Sequence, residues 1–158
     1  MRLLSTVLIG ALALFAQVGL LAGPAEARDD SLVRKQSPYS VAETLDRLTG
    51  IVESKGATVF ARVNHAGGAE KVGETLRPTE LLIFGNPKIG TPLMTGAQEA
   101  GLDLPLRVLA YEDADGQVWL AYRDPITLVK THHIADRDEA AMKMRGAIDG
   151  LTNAAVAQ

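Results

Sequence analysis

Residues 85–91 combine the residue types that proteins use to bind small anions. Two glycines bracket the segment, and Thr91 followed by Pro92 predicts a helix start with Thr91 as its N-cap. Free backbone N–H groups at a helix start favour an anion, and Lys88 would add a full positive charge. The strand predicted at residues 118–122 ends in polar residues that could lie beside this segment. The predicted ligand-binding residues are therefore Asn86, Lys88, Gly90, Thr91, Tyr122 and Asp124. The alternative is an ordinary tight turn between a strand and a helix.

The glycine spacing is similar to that of the phosphate loop of nucleotide hydrolases, but an essential residue is absent. That loop requires a lysine directly after its second glycine, whereas here Thr91 follows Gly90. The chain also has no cysteine, which excludes thiol catalysis, thiolate metal sites and attachment of c-type haem. These absences remove nucleotide hydrolysis and several redox functions.

Three histidines are the other candidates for chemistry. His132 and His133 are adjacent, and neighbouring side chains on a strand point to opposite faces, so both could bind one ion only if the backbone turned between them. One of them could join His65 or a carboxylate such as Asp124 in a zinc or copper site. No close pair of the H-x-x-x-H kind supports such a site. We predict no metal and no cofactor, with these histidines as the candidates if a metal is bound.

Acid–base catalysis has a candidate base in His132 or His133, with Asp124 as its orienting partner. However, the sequence has no G-x-S-x-G nucleophile elbow, no H-E-x-x-H zinc motif and no Rossmann glycine pattern. We therefore predict a non-catalytic module that binds a small ligand or a partner. A hydrolase-like or metal-dependent enzyme that uses these residues is the alternative.

The elements that must position these residues are predicted in the order strand, helix, several antiparallel strands, helix. This order indicates an α+β domain with a single antiparallel sheet and helices packed on one face. Strands are predicted at residues 32–35, 58–64, 79–85, 106–111 and 118–122. In the last strand Trp119 faces away from Tyr122, so it would contact the core, a ligand or a second copy of the chain.

Three helices are predicted from capping residues and apolar spacing. Ser40, with Glu43 three residues later, forms a capping box for the first, and Asp136 does the same with Glu139 for the last. Thr91 begins the middle helix, which is predicted to end near residue 101.

Residues 1–27 have the layout of a secretory signal peptide. A positive start precedes an almost wholly apolar run, and the small residues Ala25 and Ala27 predict cleavage after Ala27. An uncleaved membrane anchor is the alternative, since the run is about long enough to span a bilayer. Residues 28–158 would form one periplasmic or secreted domain. Its formal charge of −3 gives no reason to expect nucleic acid, or a membrane after cleavage, as a partner.

Three segments, residues 81–94, 101–107 and 118–125, resemble in the right order the family known as domain of unknown function 302. The resemblance covers about residues 39–133. It implies an α+β fold similar in topology to the TATA-binding-protein domain, and a homodimer. It implies no activity, so the predicted function is an exported domain of unknown function that could take a small anionic ligand.

Overall fold

The computed structural model describes residues 31–158, which form five strands, five α-helices and one 3₁₀ turn. In chain order these are β1 (Leu32–Ser37), α1 (Val41–Ser54), β2 (Thr58–Asn64), α2 (His65–Glu70), β3 (Thr79–Gly85), α3 (Pro87–Met94), the 3₁₀ turn (Gln98–Leu102), β4 (Leu106–Glu112), β5 (Val118–Arg123), α4 (Ile126–Thr131) and α5 (Asp138–Val156). The predicted signal peptide, residues 1–27, lies outside the described residues.

The five strands form one antiparallel sheet in the order β1-β5-β4-β3-β2. Helices α1 and α5 pack against each other and against one face of this sheet. The predicted α+β class, with a single antiparallel sheet and helices on one face, is confirmed. We call the face away from α1 and α5 the open face.

The helix-covered face carries the main hydrophobic core. Alternate residues of the central strands, such as Leu82, Val108 and Leu120, are fully buried there. Opposite them, α1 contributes Leu45 and Leu48, which lie on one face of the helix because they are three residues apart. The strand alternation therefore leaves the intervening side chains on the open face.

The first helix has its predicted cap and the last does not. The Ser40 hydroxyl accepts a hydrogen bond from the backbone N–H of Glu43 at 3.2 Å, which satisfies one free donor of the first turn. In contrast, α5 begins at Asp138, and Asp136 lies before it with a left-handed backbone of φ 54°. Arg137 occupies the N-cap position of α5 and makes no side-chain capping hydrogen bond, so the prediction of an Asp136 cap is wrong.

The middle helix begins earlier than predicted. Asn86 is the N-cap of α3, its side-chain oxygen accepts from the Lys88 N–H at 2.9 Å, and Pro87 occupies the first turn. The sequence offers two capping residues followed by proline, and the first of them starts the helix. The second proline, Pro92, lies inside α3, where it removes one backbone donor. The predicted loop and the Thr91 cap are therefore wrong.

A second, smaller core lies where α3, α4 and α5 meet. Its buried residues are Leu93, Ala100, Leu128, Ile134, Ala141 and Met144. Helix α3 ends at Met94 rather than near residue 101, and the 3₁₀ turn supplies Ala100 to this core. Leu106, at the start of β4, packs against both cores.

Candidate functional site

The open face of the sheet forms the floor of a groove of about 880 Å³. Strand pairing places Leu81, Leu109, Ala121 and Arg34 in one row across four strands, so their side chains share this face. Helix α4 contributes one wall. We call this cavity the sheet groove. It combines an apolar floor with a polar rim.

Charged side chains around the sheet groove are mostly basic. The basic lining residues are Arg34, Arg107, Arg123 and Lys130. The acidic ones are Asp103 and Asp124. Four positive and two negative side chains give the described lining a formal charge of +2, in a chain whose formal charge is −3. The groove is thus locally positive on an acidic protein, which favours an anion.

Two of the four cations, Arg107 and Arg123, are held by side-chain partners in the part of the chain that the structure describes. Arg107 Nη2 donates to Asp103 Oδ1 at 3.2 Å, and Arg123 Nη1 donates to the Ser31 hydroxyl at 2.8 Å. Within residues 31–158, the exposed side chains of Arg34 and Lys130 form no ion pair. They are the cations that a ligand would meet first.

The same aspartate that holds Arg107 also holds a histidine. His132 Nε2 lies 2.7 Å from Asp103 Oδ2, and the imidazole is nearly buried behind the groove wall. The histidine, the aspartate and the arginine therefore form a continuous polar chain. The structure pairs His132 with Asp103 rather than with Asp124, the partner that the sequence suggested.

Tyr122 and Asp124, two of the predicted ligand-binding residues, border the groove but have structural partners. Asp124 pairs with Arg145 at 3.1 Å through Oδ2, and its Oδ1 accepts from the Ile126 N–H at 3.0 Å at the start of α4. The hydroxyl of Tyr122 donates to Asp149 Oδ1 at 3.3 Å, and burial raises the pKa of Tyr122. Their polar groups hold α4 and α5 in place.

The other four predicted ligand-binding residues lie elsewhere. Lys88 is exposed on α3 beside a depression of about 640 Å³ near the start of α5. Asn86 and Gly90 line an apolar cleft between α3, α5 and the end of the sheet, and Thr91 lies at the edge of both spaces. The six predicted residues therefore do not form one site.

The three histidines do not converge. His65 is exposed at the start of α2, and His133 is exposed just after α4, where its backbone has φ of 49°. Only His132, of the three, has an acidic partner among the residues described. In residues 31–158, no group of three or more His, Cys, Asp or Glu side chains is placed to hold a metal ion.

Sequence reasoning missed the basic residues of the sheet groove. A signal was present, because Arg107 is two residues from Leu109 and Arg123 is two residues from Ala121, which puts each pair on one face of its strand. Arg34, however, joins them only because β1 pairs with β5, a strand that is distant from β1 in the sequence. That pairing cannot be deduced from local periodicity.

Trp119 lies on the open face, where strand alternation places it. It is half-buried, and its Nε1 donates to Asp113 Oδ2 at 2.7 Å. This hydrogen bond, together with one from the Gln117 backbone, lowers the pKa of Asp113. The tryptophan therefore helps to fix the β4–β5 hairpin.

Comparison with known proteins identifies the family. The family model described as "Domain of unknown function DUF302" matches residues 33–151. The chain belongs to this family. A crystal structure of an uncharacterized conserved protein DUF302 from Bacillus stearothermophilus is similar, with a TM-score of 0.73 and 16% identity, covering 80% of this chain and 98% of that one. At this identity, the likeness shows the DUF302 fold alone.

Three curated relatives come from Brucella. "Fluoride-specific ion channel FluC 1" of Brucella suis biovar 1 is 47% identical over 115 residues, which are 73% of this chain and 45% of that protein. FluC 1 of Brucella abortus biovar 1 and FluC 2 of Brucella melitensis biotype 1 match equally well over 43% of their length. The DUF302 chain thus spans less than half the length of these relatives. None of the helices within residues 31–158 has the length and hydropathy needed to cross a bilayer.

Proposed function

We propose that this DUF302 chain is an exported, non-catalytic module that binds a small molecule in the sheet groove. The ligand would have an anionic group and an apolar body. One observation carries the proposal: Arg34 and Lys130 have no ion-pair partner among the described residues, and they flank an apolar floor.

The chemistry of the rim favours a carboxylate, sulfonate or phosphate ester. A guanidinium group matches the two oxygens of such anions, and a lysine adds a mobile point charge. The floor residues Leu81, Leu109 and Ala121 would cover the apolar part of the ligand, at about 25 cal/mol for each Å² removed from water. A volume of about 880 Å³ lies within the usual range for small-molecule sites.

The test compares two fluorescent probes that share one aromatic body. 1-Anilinonaphthalene-8-sulfonate carries an anionic group, and N-phenyl-1-naphthylamine carries none. The double variant Arg34→Gln, Lys130→Gln should weaken binding of the sulfonate about tenfold, because it loses two exposed charge contacts of up to about 1 kcal/mol each. The neutral probe should bind it as tightly as it binds the parent.

The matched control is Lys71→Gln, which removes an exposed lysine at the end of α2, outside the groove. It changes the net charge by half as much as the double variant and should leave both affinities within twofold. Equal weakening of both probes, or no weakening of the sulfonate, would contradict an anion site at Arg34 and Lys130.

Export and self-association belong to the same proposal. We infer that the signal peptide is cleaved after Ala27 and that the mature domain forms a homodimer. Half-buried side chains of the open face, such as Ile83, Tyr111 and Trp119, supply apolar surface that a second copy would cover. Native mass spectrometry of protein recovered from the exported fraction tests both points. A monomer mass would refute the dimer, and a retained leader would refute cleavage.

A second candidate function follows from the names of the curated relatives. These are named fluoride-specific ion channels, and the DUF302 chain covers less than half of each. We propose as the second candidate that the module acts beside such a channel and takes fluoride as its anion. A fluoride titration followed by ¹⁹F NMR separates the candidates. Fluoride that competes with the sulfonate probe favours the second, and fluoride that leaves the probe bound favours the first.

The alternative of a hydrolase-like enzyme has one supporting observation, the 2.7 Å pair between His132 and Asp103. An aspartate that orients a histidine is part of many catalytic sites. In an enzyme, His132→Gln would abolish turnover of an ester substrate. In the binding module, the same change would leave the affinity for the sulfonate probe within about twofold.

A further inference from the structure

The two hydrophobic cores do not close completely against each other. Between them a cleft of about 410 Å³ opens on one side, bounded by the ends of β2 and β3, helix α3, the start of β4 and helix α5. Large apolar side chains from all five of these elements face it, among them Phe60, Phe84, Met94, Leu106, Met144 and Leu151. We call this space the apolar cleft.

Small residues explain why the space stays open. Gly85, Gly90, Gly101, Ala57 and Ala147 all line the cleft. A methyl group added at Gly90 would lie 3.7 Å from Leu104 Cδ1, and one added at Gly101 would lie 3.6 Å from Met94 Sδ. Protein interiors are normally packed with few voids larger than a water molecule. A cleft of this size is therefore a feature of the fold and not an ordinary packing gap.

The chemistry of the lining excludes a charged occupant. None of the described residues that line the cleft has a charged side chain. Both ends of the Asn86 amide already have a partner, since its oxygen accepts from the Lys88 N–H at 2.9 Å and its nitrogen donates to the Gly56 carbonyl at 3.3 Å. Thr91 is exposed at the edge. A buried charge without a partner would be strongly unfavourable here.

The mouth of the cleft exposes a large aromatic side chain. Phe60 is 57% exposed, although it lines an apolar space. It lies where the pairing of β2 with β3 skips a residue between Val59 and Ala61. Such a bulge redirects a side chain out of the regular strand alternation. Met94 and Met144 complete the lining with flexible thioether chains that adapt to different shapes.

We propose that the apolar cleft is a second ligand site, which takes an uncharged apolar molecule the size of an aromatic ring or a short acyl chain. The site is distinct from the sheet groove, since its ligand needs no anionic group and none of its described lining residues is a lysine or arginine. The segment that the sequence suggested as an anion loop thus contributes Asn86, Gly90 and Thr91 to a site of the opposite chemistry.

Methyl NMR of ¹³C-labelled methionines tests this proposal directly. The chain has four methionines, of which Met94 and Met144 line the cleft and Met142 is 55% exposed on the same helix as Met144. Toluene should change the methyl chemical shifts of Met94 and Met144, and these changes should reach a plateau as the toluene concentration rises. The chemical shift of Met142 should stay constant. Benzoate, the same ring with a charge, should shift neither. The proposal would be overturned if toluene shifted all three signals or if the shifts reached no plateau. Equal shifts caused by benzoate would also overturn it.

Variants that fill the apolar cleft with a larger side chain provide a second test. Ala147→Leu places a larger side chain in the lining and should weaken toluene binding at least fivefold, whereas Ala154→Leu, at an exposed position of α5, should not. If Ala147→Leu fails to fold, Gly90→Ala adds one methyl at ordinary contact distance and should also weaken binding. Unchanged toluene affinity in the folded filling variant would refute the cleft as the site.

Discussion

Lys35 and Asp149 should contribute unequally to stability, although they form one ion pair. Lys35 Nζ lies 2.7 Å from Asp149 Oδ1, and their side chains are 13% and 52% exposed, respectively. Lys35 also donates to the Asp149 carbonyl at 2.8 Å and to Asn153 Oδ1 at 2.7 Å. Its ammonium lies 5.7 Å from the centre of the Tyr122 ring. The pair therefore ties β1 and β5, which border the sheet groove, to α5.

The unequal exposure sets the expected magnitudes. Asp149→Ala leaves a largely buried ammonium with two of its three oxygen partners, so the free energy of unfolding should fall by about 1–2 kcal/mol, less than for a fully buried pair. Lys35→Met keeps the apolar stem and leaves a carboxylate that water reaches, so the loss should be below about 1 kcal/mol. A loss of about 1 kcal/mol lowers the melting temperature of a domain of this size by roughly 4 °C.

Urea unfolding of the parent, Asp149→Ala and Lys35→Met at neutral pH measures this order. The Lys35 ammonium is the main cause that lowers the pKa of Asp149. A lowered pKa contributes stability that is present above the unfolded pKa and is lost as the pH falls through the folded pKa. The parent and Asp149→Ala should therefore converge in acid. A larger loss for Lys35→Met, or a pH-independent difference, would refute the reasoning from exposure.

Two glycines should respond to alanine with opposite signs. A methyl at Gly96 would lie 2.5 Å from Ile134 Cγ2, so Gly96→Ala should destabilise by about 1–3 kcal/mol in urea unfolding. A methyl at Gly50 in α1 meets no described atom within 4 Å, so Gly50→Ala should stabilise by about 0.5–1 kcal/mol. Equal effects would count against the close contact. Protonation of Asp113 should change the emission of Trp119, the single tryptophan, with a midpoint below the ordinary aspartate pKa, since that pKa is lowered. Asp113→Ala should lack this transition, and a midpoint at or above the ordinary pKa would contradict the assignment.

The sheet and the first helix could be predicted from sequence because their signals are local and mutually consistent. The capping box at Ser40 and the spacing of Leu45 and Leu48 both indicate one helix. The acidic, glycine-containing segment between two β-rich runs indicates the β4–β5 hairpin. Where propensity, spacing and turn chemistry agree, tertiary packing has little reason to override them.

The start of α3 could not be predicted in this way, because two competing signals lie five residues apart. Asn86-Pro87 and Thr91-Pro92 are equally good helix starts by local chemistry. What distinguishes them is tertiary packing: the first turns of α3 place Ile89 against the second core, in which Leu93 is buried. The predicted anion loop is instead the first turn of α3, where the backbone N–H groups of Ile89 and Gly90 donate to the Asn86 carbonyl.

The chemical contrast between the sheet groove and the apolar cleft argues for two separate ligands. Among the described residues, Leu106 alone lines both cavities, and it also packs against both hydrophobic cores. A single amphipathic ligand could fill both spaces only by displacing this side chain from two packed clusters, and dense cores resist such shifts. Leu106 therefore separates the sheet groove from the apolar cleft. The basic rim of the groove and the uncharged lining of the cleft then select for different molecules on the two sides of β4.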